Sequence, residues 1–332
     1  MEKKKKKFTS CLSALAIAAT LIASRTTLDN STLVSRYDLY NSNIEKSFDF
    51  DENFDTSYEN SNLLNLIFDD QNEIIYEDMV PQGITMVEDY VLVSAYDANY
   101  MNKSILYFFD KDFNFVKSLN LDNYAHVGSI SYDEKHRLLW VAGRYGCVDA
   151  YSLSSLIYAS SDIKPIYKDV YVGKHLPSYV NPFLNAVSYL TVDGDYLYVG
   201  NYSLIDNANL KKYHISIDED RTLHLKYKAT YSMPTKVQGI SFYHDNDKDY
   251  MFLSRSFGKK YNSVIQIYEF SDDIIDYRGE HSVAIEAPKM LEQVTIDGND
   301  LYVLNESQAK KYYKTKTDTV NKTDVKVLVN KY

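Results

Sequence analysis

One short phrase recurs five times along the chain, and a repeat of this period dictates the architecture before any single residue can be interpreted. Its copies are Gln82-Gly83-Ile84-Thr85-Met86, Gly128-Ser129-Ile130-Ser131-Tyr132, Asn185-Ala186-Val187-Ser188-Tyr189, Gln238-Gly239-Ile240-Ser241-Phe242 and Glu292-Gln293-Val294-Thr295-Ile296. They begin at 82, 128, 185, 238 and 292, so successive copies stand 46, 57, 53 and 54 residues apart. After each comes a turn rich in Asp, Asn or Gly and a second apolar run, at 89–94, 137–143, 195–201, 249–255 and 300–305. Third runs follow at 104–110, 147–153, 210–217, 263–270 and 324–332, and weaker fourth runs at 116–121, 169–172, 224–231 and 281–286. Short strands bounded by turn residues, with no long amphipathic helix between them, are the grammar of propeller blades.

The repeat therefore predicts an all-β, five-bladed β-propeller over 72–332. A β-sandwich also contains such hairpins, but five near-equal copies of one phrase favour radial repetition. The fifth blade lacks a fourth strand, while 72–79 (Asn-Glu-Ile-Ile-Tyr-Glu-Asp-Met) precede the first inner strand without a blade of their own. Pairing this segment with the C-terminal blade would remove two open strand edges at once, so an N-terminal strand is expected to close the ring.

The chain ahead of the repeat reads differently. Residues 1–24 carry a basic run at Lys3–Lys7, an apolar stretch over 11–23 and a small-residue cleavage region at Ala23-Ser24, the pattern of a secretory signal peptide. The apolar stretch is short of the ~20 residues that span a bilayer, so a secreted, extracellular, monomeric product with no membrane span after cleavage is expected. Residues 25–71 are acidic and Asn-rich, without sustained periodicity, and read as a flexible spacer. Cleavage leaves Cys147 as the one cysteine, so no intramolecular disulfide can form and stability must come from the core; the thiol itself reads as buried and inert. A formal charge of −10 argues against nucleic acid as a partner.

In a propeller the inner strands begin on the face where the second strands end, so both sets of residues converge on the channel mouth. The inner-strand starts contribute Gln82, His126, Asn185, Gln238 and Glu292; the second-strand ends contribute Asp97, Arg144, Asn201, Arg255, Asn305 and Glu306. Turns are served by Gly, Asn, Asp and Pro, so Gln, His and Arg at such positions ask for another explanation. One is that they hydrogen-bond each other and stitch the blades together. The other is a polar funnel in which Gln82, Asp97, Arg144, Asn185, Asn201, Gln238, Arg255 and Asn305 contact a ligand. There Glu292 and Glu306 would supply an acid–base pair or a cation site, Ca²⁺ being the candidate cofactor, with His126 as base or ligand. Paired-Cys and His-Glu-x-x-His metal motifs, a phosphate-cradling Gly-rich loop and a Gly-x-Ser-x-Gly elbow are all absent from the sequence, which weighs against metalloprotease, nucleotide kinase and α/β-hydrolase readings.

The phrases Pro81-Gln82-Gly83-Ile84, His126-Val127-Gly128, Val237-Gln238-Gly239-Ile240 and Leu301–Ser307 resemble those of secreted bacterial propellers of unknown function, broadly similar to the lactonase-like and quinoprotein-like ones. Gln238-Gly239-Ile240 together with Ser254-Arg255-Ser256-Phe257-Gly258 and Ser263-Val264 also resembles a segment of the plant-type glutaminyl cyclases, which are five-bladed. That resemblance implies an acid–base role for Glu292, although Glu292-Gln293-Val294 departs from the Glu-Gly-Leu of that family and Ser254 replaces a Glu. Two functions follow as expectations. The first is a secreted, non-catalytic module that binds a small molecule, glycan or peptide in the funnel; the second is a glutaminyl-cyclase-like acyl transferase or a cation-assisted hydrolase using the same residues.

Overall fold

The computed structural model describes residues 44–49, 78–172, 187–204, 208–245, 248–307, 309–312 and 320–330. After β1 (Ile44–Asp49), the chain builds five antiparallel sheets in sequence. Blade 1 is β2 (Met79–Val87), β3 (Tyr90–Asp97), β4 (Ile105–Asp110) and β5 (Phe115–Leu121). Blade 2 is β6 (Ile130–Asp133), β7 (Leu138–Ala142) and β8 (Cys147–Ser152), then helix α1 (Leu153–Tyr158), the short β9 (Asp162–Ile163) and the outer β10 (Tyr167–Tyr171). Blade 3 is β11 (Tyr189–Asp193), β12 (Tyr196–Gly200), β13 (Asn209–Ile217) and β14 (Leu223–Ser232). Blade 4 is β15 (Val237–His244), β16 (Asp249–Arg255), β17 (Ser263–Phe270) and β18 (Ser282–Ala287). Blade 5 has β19 (Leu291–Asp297), β20 (Asp300–Asn305) and β21 (Val320–Asp324), followed by helix α2 (Val325–Val329).

The inner strands β2, β6, β11, β15 and β19 neighbour one another in that order, and β19 returns to β2, so the five sheets form a closed propeller. Middle strands packed on both faces read as unbroken apolar runs, as in Leu138-Leu139-Trp140-Val141-Ala142, every residue of which is buried. The core is divided among the gaps between blades; Leu106, Phe108, Leu139, Val141 and Tyr151, from blades 1 and 2, share one cluster.

Some expectations are corrected, and the ring closure by 72–79 falls mostly on residues 72–77, which lie outside the described residues. Of the segment 72–79 only Asp78 and Met79 are described, and both pair inside blade 1: Ala98 N donates to Asp78 O at 2.8 Å, and Met79 lies opposite Asp97. The described N-terminal strand that joins a later blade is β1, which runs parallel to β18 on the outer edge of blade 4 and lies within the segment read as spacer. Its sequence gives no notice because an outer edge recruits a strand through backbone hydrogen bonds, which need no side-chain period.

The third strand of blade 5 is Val320–Asp324 rather than 324–332. There Asp324 accepts a hydrogen bond from Lys326 N at 2.8 Å and caps α2, which buries Val325, Leu328 and Val329 at helical spacing. The cap and the i, i+3, i+4 pattern outweigh the strand preference of valine. Finally, register makes Ser188-Tyr189-Leu190-Thr191-Val192 the third copy of the repeat, three residues beyond Asn185-Ala186-Val187-Ser188-Tyr189: Leu190 pairs with Val199 as Ile84 pairs with Val93 and Ile130 with Val141. Asn185 itself lies outside the described residues.

Some blades reach back over the edge of their predecessor. β9 adds in parallel to β5, and Asp276, between β17 and β18, bridges to Ser232 at the end of β14. Lys117 of β5 donates to the carbonyls of Leu156, Ile157 and Ala159 at 2.7–3.0 Å, closing the C-terminal end of α1 with a cation. Covered edges leave fewer unpaired backbone groups for association with other chains.

Candidate functional site

Where the inner strands begin, three of them depart from regular pairing. Register shifts fall between Pro81 and Gly83, between Val237 and Gly239, and between Leu291 and Val294. Gln82, Gln238 and the Glu292-Gln293 pair are thus the bulged residues of blades 1, 4 and 5, which are consecutive around the closed ring; a bulge re-aims side chains that a regular strand would direct into the sheet faces. The backbone just ahead is strained in blades 2, 4 and 5, where Val127, Lys236 and Met290 adopt φ of 47°, 65° and 66°. Each of their carbonyls is held by a neighbouring second strand or its end: Ser94 Oγ donates to Val127 O at 2.9 Å, Ser256 N to Lys236 O at 2.9 Å and Glu306 N to Met290 O at 3.1 Å.

These bulges assemble a hydrogen-bonded arc. Gln238 Nε2 donates to Glu292 Oε1 at 3.4 Å, Glu292 shares a hydrogen bond with Glu306, and Gln82 Nε2 donates to Glu306 Oε2 at 2.9 Å. Glu292 and Gln82 are buried, whereas Glu306 is half-buried. Burial and the neighbouring Glu306 carboxylate push Glu292 well above the ordinary carboxylate range. Burial likewise pushes Glu306 up, to about 7, against the opposing pull of its hydrogen bonds to Gln82 and Glu292 and of the Lys311 and Lys259 ammoniums. Two carboxyls so placed cannot both ionise cheaply, and the stable arrangement shares a proton between them. Gln82 Oε1, buried beside them, has no hydrogen-bond partner among the described residues.

The wall above the pair is aromatic and basic. Tyr96 is buried, accepts a hydrogen bond from Lys311 Nζ at 2.9 Å and stacks on Tyr100 with ring centroids 5.2 Å apart. Its hydroxyl is held protonated by burial and by the nearby Tyr312 and Glu306. His126 lies 4.2 Å from the Tyr96 ring, its Nδ1 3.2 Å from the Tyr100 hydroxyl. It is exposed, so solvent tempers the effect, but the surrounding chain and the Lys311 cation lower its pKa and favour the neutral imidazole. Burial and Lys259 lower the Lys311 pKa, with Glu306 opposing. Lys311 and Tyr312 belong to a single turn of 3-10 helix, Lys310–Tyr312, in the connection leading out of β20.

Below the arc, Gln293 closes the axis. Its Oε1 accepts from Ile84 N at 3.1 Å and Ile130 N at 3.0 Å, and its Nε2 donates to Ile130 O at 2.8 Å, so one carboxamide ties blade 5 to blades 1 and 2. Glycine is required beside it: a Cβ on Gly83 would stand 2.9 Å from Gln293 Oε1 and 2.6 Å from Ser94 Oγ, and one on Gly239 would stand 2.7 Å from Gln293 Cα.

The structure thus brings together Glu292, Glu306, Gln82 and Gln238, with His126 reached through Tyr96. Other expected ligand contacts are engaged elsewhere. Asp97 accepts from the backbone of Asn99, Met101 and Asn102 and organises its own loop. Arg144, exposed, donates to Tyr124 O; Asn201 Oδ1 accepts from Asn209 N at 3.1 Å at the mouth of its hairpin. Arg255 is buried in blade 4, donating to Thr235 O at 2.8 Å and Gln266 Oε1 at 2.7 Å, while Asn305 is buried opposite Leu291. Cys147 is half-buried, its thiol kept protonated by burial and by the Asp169 and Asp149 carboxylates. Among the described residues no group of three or more His, Cys, Asp or Glu side chains is placed to hold a metal ion.

No protein-family model and no curated sequence matches this chain. Solved structures similar to it include the WD40 repeats of RRP9, at 6% identity and a TM-score of 0.41 over 74% of this chain and 94% of that one. U3-55K aligns at 7% identity and a TM-score of 0.42 over 74% and 95% of the two chains. A structural genomics protein of unknown function from Bacteroides thetaiotaomicron aligns at 11% identity and a TM-score of 0.39, over 76% and 71%.

Proposed function

We propose that this chain is an exported propeller that captures a small polar ligand, a glycan or a peptide end, in the funnel floored by Glu292 and Glu306. The observation that carries this reading is the proton-sharing carboxyl pair, buried beneath an aromatic wall and beside a Gln82 oxygen that has no partner among the described residues. Such a floor offers both a donor and acceptors to hydroxyl or amide groups, and Tyr96 and Tyr100 offer ring faces to the apolar side of a sugar or peptide. Titration calorimetry of the full chain with oligosaccharide and peptide panels, in buffers of different ionisation heat, tests it. A ligand of this class is expected to bind with a proton-linked heat, and Glu306→Gln to remove the linkage. Absence of binding by every panel member, or an affinity and linkage untouched by Glu306→Gln, would refute the reading.

A second reading has an observation of its own. Glu306, raised to about 7, and His126, whose pKa is lowered by the surrounding chain and by Lys311, are titratable groups whose surroundings push their pKa values apart, the disposition of acid–base catalysts. On this reading the pair serves a glutaminyl-cyclase-like acyl transfer. Release of ammonia from Gln-terminated peptides, abolished by Glu292→Gln, would replace the binding reading with the catalytic one.

A further inference from the structure

The opposite end of the axis, beyond Gln293, carries a second constellation. One residue after the strand position shared by Ile84, Ile130, Leu190, Ile240 and Val294, every blade presents a hydroxyl: Thr85, Ser131, Thr191, Ser241 and Thr295. All five line a single cavity of ≈ 440 Å³, within the range of small-molecule sites. The two serines are committed to the next blade: Ser131 Oγ accepts from Val192 N at 2.9 Å and Ser241 Oγ from Ile296 N at 3.1 Å. The threonines differ. Thr85 and Thr191 are 5% and 7% exposed and line the cavity, and neither hydroxyl has a hydrogen-bond partner among the described residues. The two residues occupy equivalent positions of different blades, and their hydroxyls are left open to the cavity.

Charge at the rim selects the ligand. Glu134, Asp193, Asp195 and Asp297 line the same cavity against one cation, Lys135. Lys135 pairs with Asp195 at 2.5 Å, and His244 Nε2 meets Asp193 Oδ1 at 2.7 Å. Glu134 and Asp297 are exposed and make no ion pair among the described residues, which leaves uncompensated negative charge above a floor of hydroxyl oxygens. Met86, Val192 and Ile296, each half-buried, provide apolar surface on the cavity wall.

We propose that this cavity is a binding site for an alkylammonium group, its N–H donors satisfied by the threonine hydroxyls, its charge balanced by the Glu134 and Asp297 carboxylates, and its methylenes lying on the apolar wall. A free aliphatic amine and the side chain of a peptide lysine share this chemistry. The site is separate from the Glu292–Glu306 funnel and does not depend on the function proposed for it.

Titration of the full chain with cadaverine, with pentanediol as its uncharged isostere, tests the assignment. Saturable one-to-one binding of the amine that weakens with salt is expected, with little or none of the diol. Thr191→Val should weaken the amine by about tenfold, as expected for losing a hydrogen bond to a charged group. Asp297→Asn, an exposed substitution, should weaken it by roughly threefold. Glu306→Gln should leave it unchanged. Nα-acetyl-lysine methylamide binding as well as cadaverine would identify a peptide lysine as the source, and cadaverine alone a free amine. Diol binding equal to amine binding, binding indifferent to both Thr191→Val and Asp297→Asn, loss of binding in Glu306→Gln, or no saturable binding of either amine would overturn the proposal.

Discussion

The two ends of the propeller axis use the same five strands in opposite ways. Where the strands begin, bulges and left-handed residues gather Gln82, Gln238, Glu292 and Glu306 into a largely buried arc whose carboxyls hold a proton. Where they end, the strands pair regularly, every blade supplies a hydroxyl, and the carboxylates stay at the rim, either solvated or paired with Lys135 and His244. The contrast teaches that irregular backbone here does chemical work: the end that breaks strand geometry sets two carboxyls against each other with the desolvation that burial entails, whereas Asp133, buried at the end of β6, is satisfied by His136 N and Trp140 Nε1. Gln293 is the divider, and the distinction between the ends depends on it.

The most damaging way to break the comparison is therefore Gln293→Ala. It would leave Ile84 N, Ile130 N and Ile130 O without their side-chain partner in a buried setting, at about 1–3 kcal/mol for each unsatisfied group. A loss on the order of 4 kcal/mol is expected in urea unfolding, and a change below about 1 kcal/mol would mean that the axis is held by strand packing alone.

A smaller effect sharpens the contrast through pH. The folded-state pKa of Glu306 is raised above its unfolded value, so the native state binds more protons than the unfolded one between the ordinary Glu value and about 7. Wild-type stability is then expected to fall as pH rises through this window, by at most about 1.4 kcal/mol per pH unit per proton. Glu306→Gln removes one titrating member of the pair and should make the profile shallower between pH ~4.5 and ~7, the slope that remains coming from buried Glu292. Parallel profiles for the two proteins in thermal unfolding would show that the pair does not hold the excess proton.

Much of this was legible in the sequence. The phrase Gln82-Gly83-Ile84, repeated at Gln238-Gly239-Ile240 and altered at Glu292-Gln293-Val294, carries both blade spacing and bulge: the glycines allow close approach at the axis, and the preceding polar residue is the one re-aimed. The hydroxyls of Thr85, Ser131, Ser241 and Thr295 stand inside the same phrases, but a hydroxyl in a strand is too common to signal a site until register shows that all five occupy one level. Thr191 is hidden in the sequence because Ser188-Tyr189 lacks the glycine that marks blades 1 and 4, so the phrase three residues earlier matches the repeat better. Lys311 and Tyr312 lie in a connection without period, and only the tertiary path brings them over Glu306. Arg255 misled for the reverse reason: the end of β16 suits a funnel residue, but Thr235 and Gln266 draw its guanidinium into blade 4.

The smallest expected effect belongs to the strand-end rim, where ionisation runs in the opposite sense. His244 lies between Asp193 and Asp249, each at 2.7 Å, and hydrogen bonds to these two carboxylates raise its pKa to about 9 despite partial burial. A raised histidine stabilises fully below its unfolded pKa of ~6.5, and that contribution is lost as pH rises through about 9. Because the His244 side chain is 50% exposed, solvent screening should hold the effect to about 1 kcal/mol or less. His244→Gln is thus expected to unfold at a slightly lower temperature than wild type at neutral pH, and the two curves should converge above the His244 pKa. A gap that widens with rising pH would mean that the carboxylates at this rim repel rather than hold the imidazolium, and would remove the opposition between the two ends.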